Sequence, residues 1–193
     1  MRRKSIDACF RKHIVPVVWD PGSQTELLAR ASSVFIQGGA LGDLARVLDL
    51  FGSPRLEHLS IFVHVDLVAG LENSEAGIEF LAGFDRITGV VTVHHYLASA
   101  ARRLGLLSIV RLFLSDSRAV DRGVSVVKKS HPDAVEILPA CVAAKVAGDF
   151  EACRIPRIAG GLLRTEADVA EVLASGCRAV TSTSEKLWKL NPA

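Results

Sequence analysis

Aromatic side chains are scarce in this chain: eight Phe, two Trp and one Tyr among 193 residues, with a single Met. A chain so poor in rings has no aromatic-rich strand on which bases could stack, which excludes RNA-recognition modules that read bases that way. An excess of one charge is missing as well. Lys and Arg total 23 against 21 Asp and Glu, a net of +2, so the composition fits neither a disordered polyelectrolyte nor a strongly basic domain. No apolar run approaches the roughly 20 residues that cross a bilayer. The charged start over residues 1–7 is not followed by the apolar stretch of a secretory signal. The four cysteines, Cys9, Cys141, Cys153 and Cys177, form no C-x-x-C pair and have no His at a zinc spacing. They read as reduced residues of a cytoplasmic protein. Low-complexity segments and interdomain linkers are also missing.

What is present is aliphatic. Hydrophobic residues make up 49% of the chain, and Val, Ile, Leu and Ala carry most of that. Continuous aliphatic runs are the mark of parallel strands covered on both faces. Such runs fall at residues 14–19, 33–37, 59–66, 89–93, 107–113, 134–138, 157–159 and 179–181. Helical patterns lie between most of them, clearest over 98–104, 118–129 and 166–175. The last of these begins after Thr165, a suitable N-cap, and ends at Gly176, a suitable C-cap. Eight β–α units close naturally into a barrel. The expected fold is therefore α/β, a single (β/α)8 TIM barrel of minimal length over residues 1–193, with residues 1–13 as a helical or flexible extension. A doubly wound open sheet is the alternative, and the strand count disfavours it. Residues 70–77 read as a longer loop.

Two consecutive strand ends carry the strongest chemical signal. Ile158-Ala159 runs into Gly160-Gly161, and Ala179-Val180-Thr181 runs into Ser182-Thr183-Ser184. In a (β/α)8 barrel the loops after the last two strands are a frequent phosphate site. Glycines let backbone N–H groups approach an anion, and hydroxyls add donors. A tight turn at the glycines and an S-x-x-E capping box, Ser182 with Glu185, are competing structural uses. On this reading a bulky residue at Gly160 removes ligand binding and leaves fold stability largely intact.

Three strands carry an ionisable residue in an apolar context. His64 and Asp66 share a strand face, Arg111 interrupts the fifth strand and Glu136 the sixth. Buried charge must pair, meet water or meet a ligand. Arg111 and Glu136 are either a structural ion pair or part of a polar floor under the phosphate. Asp66 at a strand end is a functional candidate, with loop capping as the alternative. His64 reads as a satisfied core residue. His94 and His95, pointing to opposite sides of an extended strand, make a poor metal pair.

Taken together, His64-Val65-Asp66-Leu67-Val68-Ala69-Gly70-Leu71, Arg111-Leu112-Phe113-Leu114-Ser115-Asp116-Ser117, Asp133-Ala134-Val135-Glu136-Ile137-Leu138-Pro139, Ile158-Ala159-Gly160-Gly161-Leu162-Leu163-Arg164-Thr165 and residues 180–188 resemble the glycerol uptake operon antiterminator regulatory protein family. The likeness runs from about residue 16 to the C-terminus and is strongest from residue 60 onward. It implies a (β/α)8 barrel that binds glycerol 3-phosphate, needs no cofactor, and acts on the leader of its target messenger RNA to prevent early termination. It also implies that Gly160, Gly161, Ser182 and Thr183 hold the phosphate, while Asp66, Arg111 and Glu136 face the glycerol part or order the groups that do. The chain departs from the family pattern at Val17-Val18-Trp19-Asp20, at Thr92-Val93-His94-His95 and at Ala140, where a glycine is usual.

An enzyme acting on a phosphorylated sugar, of isomerase or lyase type, stays open beside the regulator. A Schiff-base aldolase needs a strand-end lysine, yet every lysine falls outside the expected strands. The Asp-x-Lys-x-x-Asp pattern of some decarboxylases is missing, because Leu67 and Val68 follow Asp66. Asp66 with His64 could still abstract a proton. Basic residues cluster at Arg2, Arg3, Lys4, Arg11 and Lys12, at Arg102 and Arg103, at Lys128 and Lys129, and at Arg154 and Arg157. Such clusters are solvated helix faces or contacts for a phosphate backbone. No membrane partner is expected, and monomer and homodimer both stay open.

Overall fold

The structure, a computed structural model, describes residues 4–192, so Arg2 and Arg3 of the first basic cluster lie outside the described residues. Eight parallel strands close into a barrel in chain order. They are β1 (Ile14–Val18), β2 (Ser33–Ile36), β3 (Ser60–His64), β4 (Ile87–Thr92), β5 (Leu107–Phe113), β6 (Ala134–Leu138), β7 (Arg157–Gly160) and β8 (Ala179–Ser182). Pairing of β1 with β8, Ile14 opposite Val180 and Pro16 opposite Ser182, closes the ring. Helix α1 (Ile6–Cys9) precedes the barrel. Helices α2 (Thr25–Leu28), α3 (Leu44–Phe51), α4 (Glu75–Ala82), α5 (Leu97–Arg103), α6 (Ser117–Ser130), α7 (Glu166–Ala174) and α8 (Glu185–Trp188) follow strands. Among the described residues, β6 and β7 are joined through two 3-10 turns, Ala140–Val142 and Glu151–Cys153, in place of an α-helix.

Local chemistry sets the helix starts. Asp116 accepts the Ala119 N–H at 2.8 Å and opens α6. Thr165 and Asp168 form a reciprocal capping box that opens α7, and Gly176, at φ +88°, follows the Ser175 cap at its far end. Ser74 accepts the Gly77 N–H at 3.3 Å and starts α4 at Glu75. The loop expected over 70–77 is therefore cut short, and Gly77 is a helical residue. The third strand also ends earlier than expected: the chain turns into a 3-10 helix at Val65–Leu67, which carries Asp66 off the strand.

Strand residues alternate between two apolar layers. Val34, Ile61, Val63, Val90, Val110, Val135 and Val180 belong to the layer shared with the helices, while Val15, Phe35, Phe62, Val91, Ile109, Ile158 and Ala179 fill the barrel. Three of the few aromatic rings, Phe10, Phe35 and Phe62, meet in the barrel interior. Phe62 stacks on Phe10 at 5.9 Å and tilts against Phe35 at 5.5 Å. A Cβ on Gly89 would come within 2.8 Å of the Phe62 ring and 2.5 Å of the Leu107 carbonyl, so a glycine is needed beside that stack. Cys9 and Phe10, just ahead of β1, are buried in this interior cluster and close the N-terminal end of the barrel. The other end of the chain is also tied to β1: Asn191 accepts the Ile14 N–H at 3.1 Å and donates to the Ile14 carbonyl at 2.8 Å.

Candidate ligand site

With apolar side chains filling the lower barrel, the polar residues of the strands collect at its C-terminal face. Arg111 and Glu136 are opposite each other in the β5–β6 register. Arg111 Nε donates to Glu136 Oε2 at 2.6 Å, with the two side chains 10% and 1% exposed. The second carboxylate oxygen accepts from Thr181 Oγ1 of β8 at 2.7 Å. A polar chain, Arg111–Glu136–Thr181, thus crosses the top of the barrel. Both oxygens of Glu136 are satisfied, which a buried carboxylate requires. The two Nη groups of Arg111 have no partner among the described residues.

Gly160, the last residue of β7, lies between these groups. A Cβ there would overlap Thr181 Oγ1 and press on Glu136 Oε1 at 3.1 Å. This corrects the expectation that a bulky residue at Gly160 spares the fold: the glycine is required by the polar chain itself. Gly161 follows at φ +78° and the exposed Leu162 at φ +61°. A non-glycine residue in that region is strained, and such strain clusters at ligand sites.

A cavity of about 230 Å³ opens between these parts. Its walls include Arg111, Glu136, Gly161, Ser182 and Thr183, together with Gln37, Thr181 and Leu162. No lysine lines it. Its volume is below the roughly 300–1,000 Å³ of drug-sized pockets and suits a small ligand. The N–H groups of Leu162, Leu163 and Thr183 donate to no described residue. Ser182 Oγ accepts the Ser184 N–H at 3.0 Å, and its carbonyl accepts from Trp188 Nε1 at 2.8 Å. The S-x-x-E box is not formed. Helix α8 starts after Ser184, which makes no side-chain cap, so Ser182 points its oxygen at the loop and keeps its own O–H free.

Asp66 belongs to a different cluster and is not among the residues that line the cavity. Oδ1 accepts from Thr92 Oγ1 at 3.0 Å and Oδ2 from the Val93 N–H at 3.1 Å. His94 Nε2 lies 3.4 Å from Oδ1, and His64 Nδ1 lies 3.2 Å from Oδ2 but off the line of a hydrogen bond. Burial pushes the Asp66 carboxyl upward, but the His64 contact, with Thr92 and the Val93 amide, outweighs this and holds it below its ordinary value. The cluster fastens the end of β3 to the end of β4. Of the two adjacent histidines it is His94 that makes a specific contact, with Asp66, because the chain turns after Thr92 and strand alternation no longer applies. Thr181 and Gln37 were missed too, although alternation from the Thr183 and Phe35 positions was a signal for both.

Elsewhere the cysteines are free, and burial pushes the Cys9 and Cys177 thiols up. No group of three metal-ligating side chains occurs among the described residues. Among the described residues, no helix is long and apolar enough to cross a membrane.

Fold and cavity together define a (β/α)8 barrel with one small polar pocket at the face where such barrels bind ligands. Sequence comparison carries this further. A model of the glycerol-3-phosphate responsive antiterminators matches residues 14–188, and the chain belongs to this family. The family is one of regulatory antiterminators. An uncharacterized Escherichia coli K12 protein, YgcP, is 36% identical over 129 residues, covering 67% of this chain and 68% of that one. A solved structure of the glycerol uptake operon antiterminator regulatory protein from Listeria monocytogenes superposes with TM-score 0.83 at 28% identity, over 93% of this chain and 96% of the other. A related structure from Thermotoga maritima, named a glycerol uptake operon antiterminator-related protein, gives TM-score 0.81 at 30% identity, over 92% and 98%. Enzymes of the same architecture match at 8–14% identity, which speaks to the fold alone.

Proposed function

We propose that the barrel binds glycerol 3-phosphate in the cavity between the loops after β7 and β8, and that the liganded protein acts in the cytoplasm on the leader mRNA of a glycerol utilisation operon to prevent early termination. The observation that supports the ligand most strongly is the set of donors without partners around one small cavity. These are the Arg111 Nη groups, the Leu162, Leu163 and Thr183 amides, and the Ser182 and Thr183 hydroxyls. A phosphate monoester carries about −1.5 to −2 charge at neutral pH and three acceptor oxygens, which suits such a set. In this reading Gly160 and Gly161 let the backbone approach the phosphate, and Ser182 and Thr183 add hydroxyl donors. Arg111 bridges from the phosphate toward the glycerol hydroxyls. Glu136 fixes the guanidinium through Nε, and Asp66 acts at one remove by bracing the ends of β3 and β4.

The test is in vitro transcription on a template carrying the terminator-containing leader of the operon. Full-length transcript should rise with wild-type protein and glycerol 3-phosphate together, and with neither alone. Read-through that ignores the ligand would overturn the reading.

A further inference from the structure

A second cavity, of about 730 Å³, opens at the N-terminal end of the barrel, opposite the ligand pocket. Three distant segments bring basic side chains to its wall. Arg11 comes from the stretch before β1, Arg154 and Arg157 from the start of β7, and Arg178 from the residue before β8. Two of the basic clusters scattered along the sequence, around residue 11 and around residues 154–157, are thus one surface. Asp7 and Glu151 share the wall, but they do not neutralise it. The Arg178–Asp7 contact is 3.6 Å long with both side chains over 60% exposed, and such pairs are weak.

One arginine is held in place. Arg157 Nη2 donates to the Ser175 carbonyl at the end of α7, at 2.8 Å, while Nη1 is buried without a partner. Arg154 and Arg178 are exposed. The Phe residues of the cavity, Phe10 and Phe150, are buried at 4% and 1% exposure. The exposed ring on the wall is the His13 imidazole, whose Nδ1 is engaged with the Arg178 carbonyl at 2.9 Å; with four arginines around a single imidazole, the chemistry favours a partner recognised through closely spaced anionic groups.

We propose that this N-terminal face is where RNA docks, through its phosphodiester backbone and without reading bases. The inference rests on the reading that the protein acts on RNA and adds the surface that does so. Strand β7 ties the two sites together, with Arg157 its first residue and Gly160 its last.

The experiment uses the full chain with a labelled, mixed-sequence, single-stranded RNA of about 20 nucleotides in saturating glycerol 3-phosphate, titrated by anisotropy at several salt concentrations. Single-strand binding follows a log–log salt slope of about −0.7 per phosphate neutralised. Four arginines give a slope near −2.8, an affinity loss of about 50-fold between 50 and 200 mM salt. The Arg154→Ala/Arg178→Ala double variant should fall to a slope near −1.4 and a loss of about 7-fold. Arg118→Ala/Arg122→Ala, which removes the same charge from α6, should keep the wild-type slope. In the transcription assay R154A/R178A should lose read-through while calorimetry shows unchanged glycerol 3-phosphate binding. Equal slopes for the two double variants, no binding of the 20-mer by wild type, or full read-through by R154A/R178A would each overturn the proposal. Wild-type read-through independent of ligand would instead overturn the functional reading beneath it.

Discussion

Replacing Arg111 with methionine separates what the Arg111–Glu136 pair does for the fold from what it does for the ligand. Glu136 is 1% exposed and Arg111 10%, so the substitution strands a buried carboxylate with Thr181 as its remaining partner. Removing one member of a buried pair destabilises by about 3–5 kcal/mol. At about 2–4 °C per kcal/mol for a domain of this size, the melting temperature should drop by roughly 6–20 °C. Pairing Arg111→Met with Glu136→Gln removes the stranded charge while leaving Thr181 an amide oxygen to donate to. Neutral replacement of a buried pair is commonly close to cost-free, so most of the loss should be recovered. Binding should not recover with it, because the Nη donors are gone. Wild type in ligand at 100 times Kd should gain about 2.7 kcal/mol, or roughly 5–11 °C, and the double variant should gain close to nothing. Differential scanning fluorimetry with and without glycerol 3-phosphate reads both effects. A double variant that keeps the full ligand-induced shift would refute the placing of Arg111 at the ligand. A single variant that loses less than about 1 kcal/mol would show the pair to be solvated.

Further predictions follow from other parts of the fold. Asp66 is held below its ordinary value of 3.8, so the stability it contributes is present above about pH 4 and is lost as pH falls further. Asp66→Asn should lower the melting temperature at pH 7 and flatten its decline between pH 4 and pH 2; an unchanged acid profile would mean the His64–Thr92–His94 cluster is not what holds this carboxylate. Gly160→Ala should cost about 1–3 kcal/mol by displacing Thr181 from Glu136, seen in urea midpoints. Gly161→Ala, at φ +78° but with no close neighbour, should cost about 1–2 kcal/mol and weaken binding further, and a stabilised Gly161→Ala would contradict the conformation assigned to that loop.

The strands were legible because parallel barrel strands are short aliphatic runs bounded by turn residues, and all but β3 end within one residue of where the pattern places them. The seam between strand and loop was less legible. Strand β3 ends at His64 because the chain turns at Val65, and His94 reaches Asp66 only because the chain also turns after Thr92. Alternation predicts neither, since it assumes an extended chain. Arg111 and Glu136 stood out as charges in apolar strands. Thr181, the residue that completes their chain, did not, because a threonine in a strand is unremarkable until its neighbour is known to be a buried carboxylate. Gly160 was singled out for its approach to an anion, whereas the structure shows a packing demand at the same residue. The N-terminal cavity was not legible, since Arg11 lies more than a hundred residues from Arg154, Arg157 and Arg178 in sequence.

The two faces suggest a division of labour. The C-terminal face gathers donors around a small cavity, and the N-terminal face gathers arginines around a larger one. Arg157 at the start of β7 and Arg178 just ahead of β8 line the N-terminal cavity, while Gly161 just after β7 and Thr181 and Ser182 of β8 line the other, so on the proposed reading coupling between ligand and RNA runs along those two strands, a matter for mutational test.

Titration calorimetry of glycerol 3-phosphate against glycerol tests the central claim most directly. At least two charge-assisted hydrogen bonds to the phosphate, each worth about 1.5–3 kcal/mol, should make glycerol 3-phosphate bind at least about 100-fold more tightly than glycerol, and replacing Ser182 and Thr183 with alanine should narrow that difference. Equal affinities for the two compounds would contradict the account.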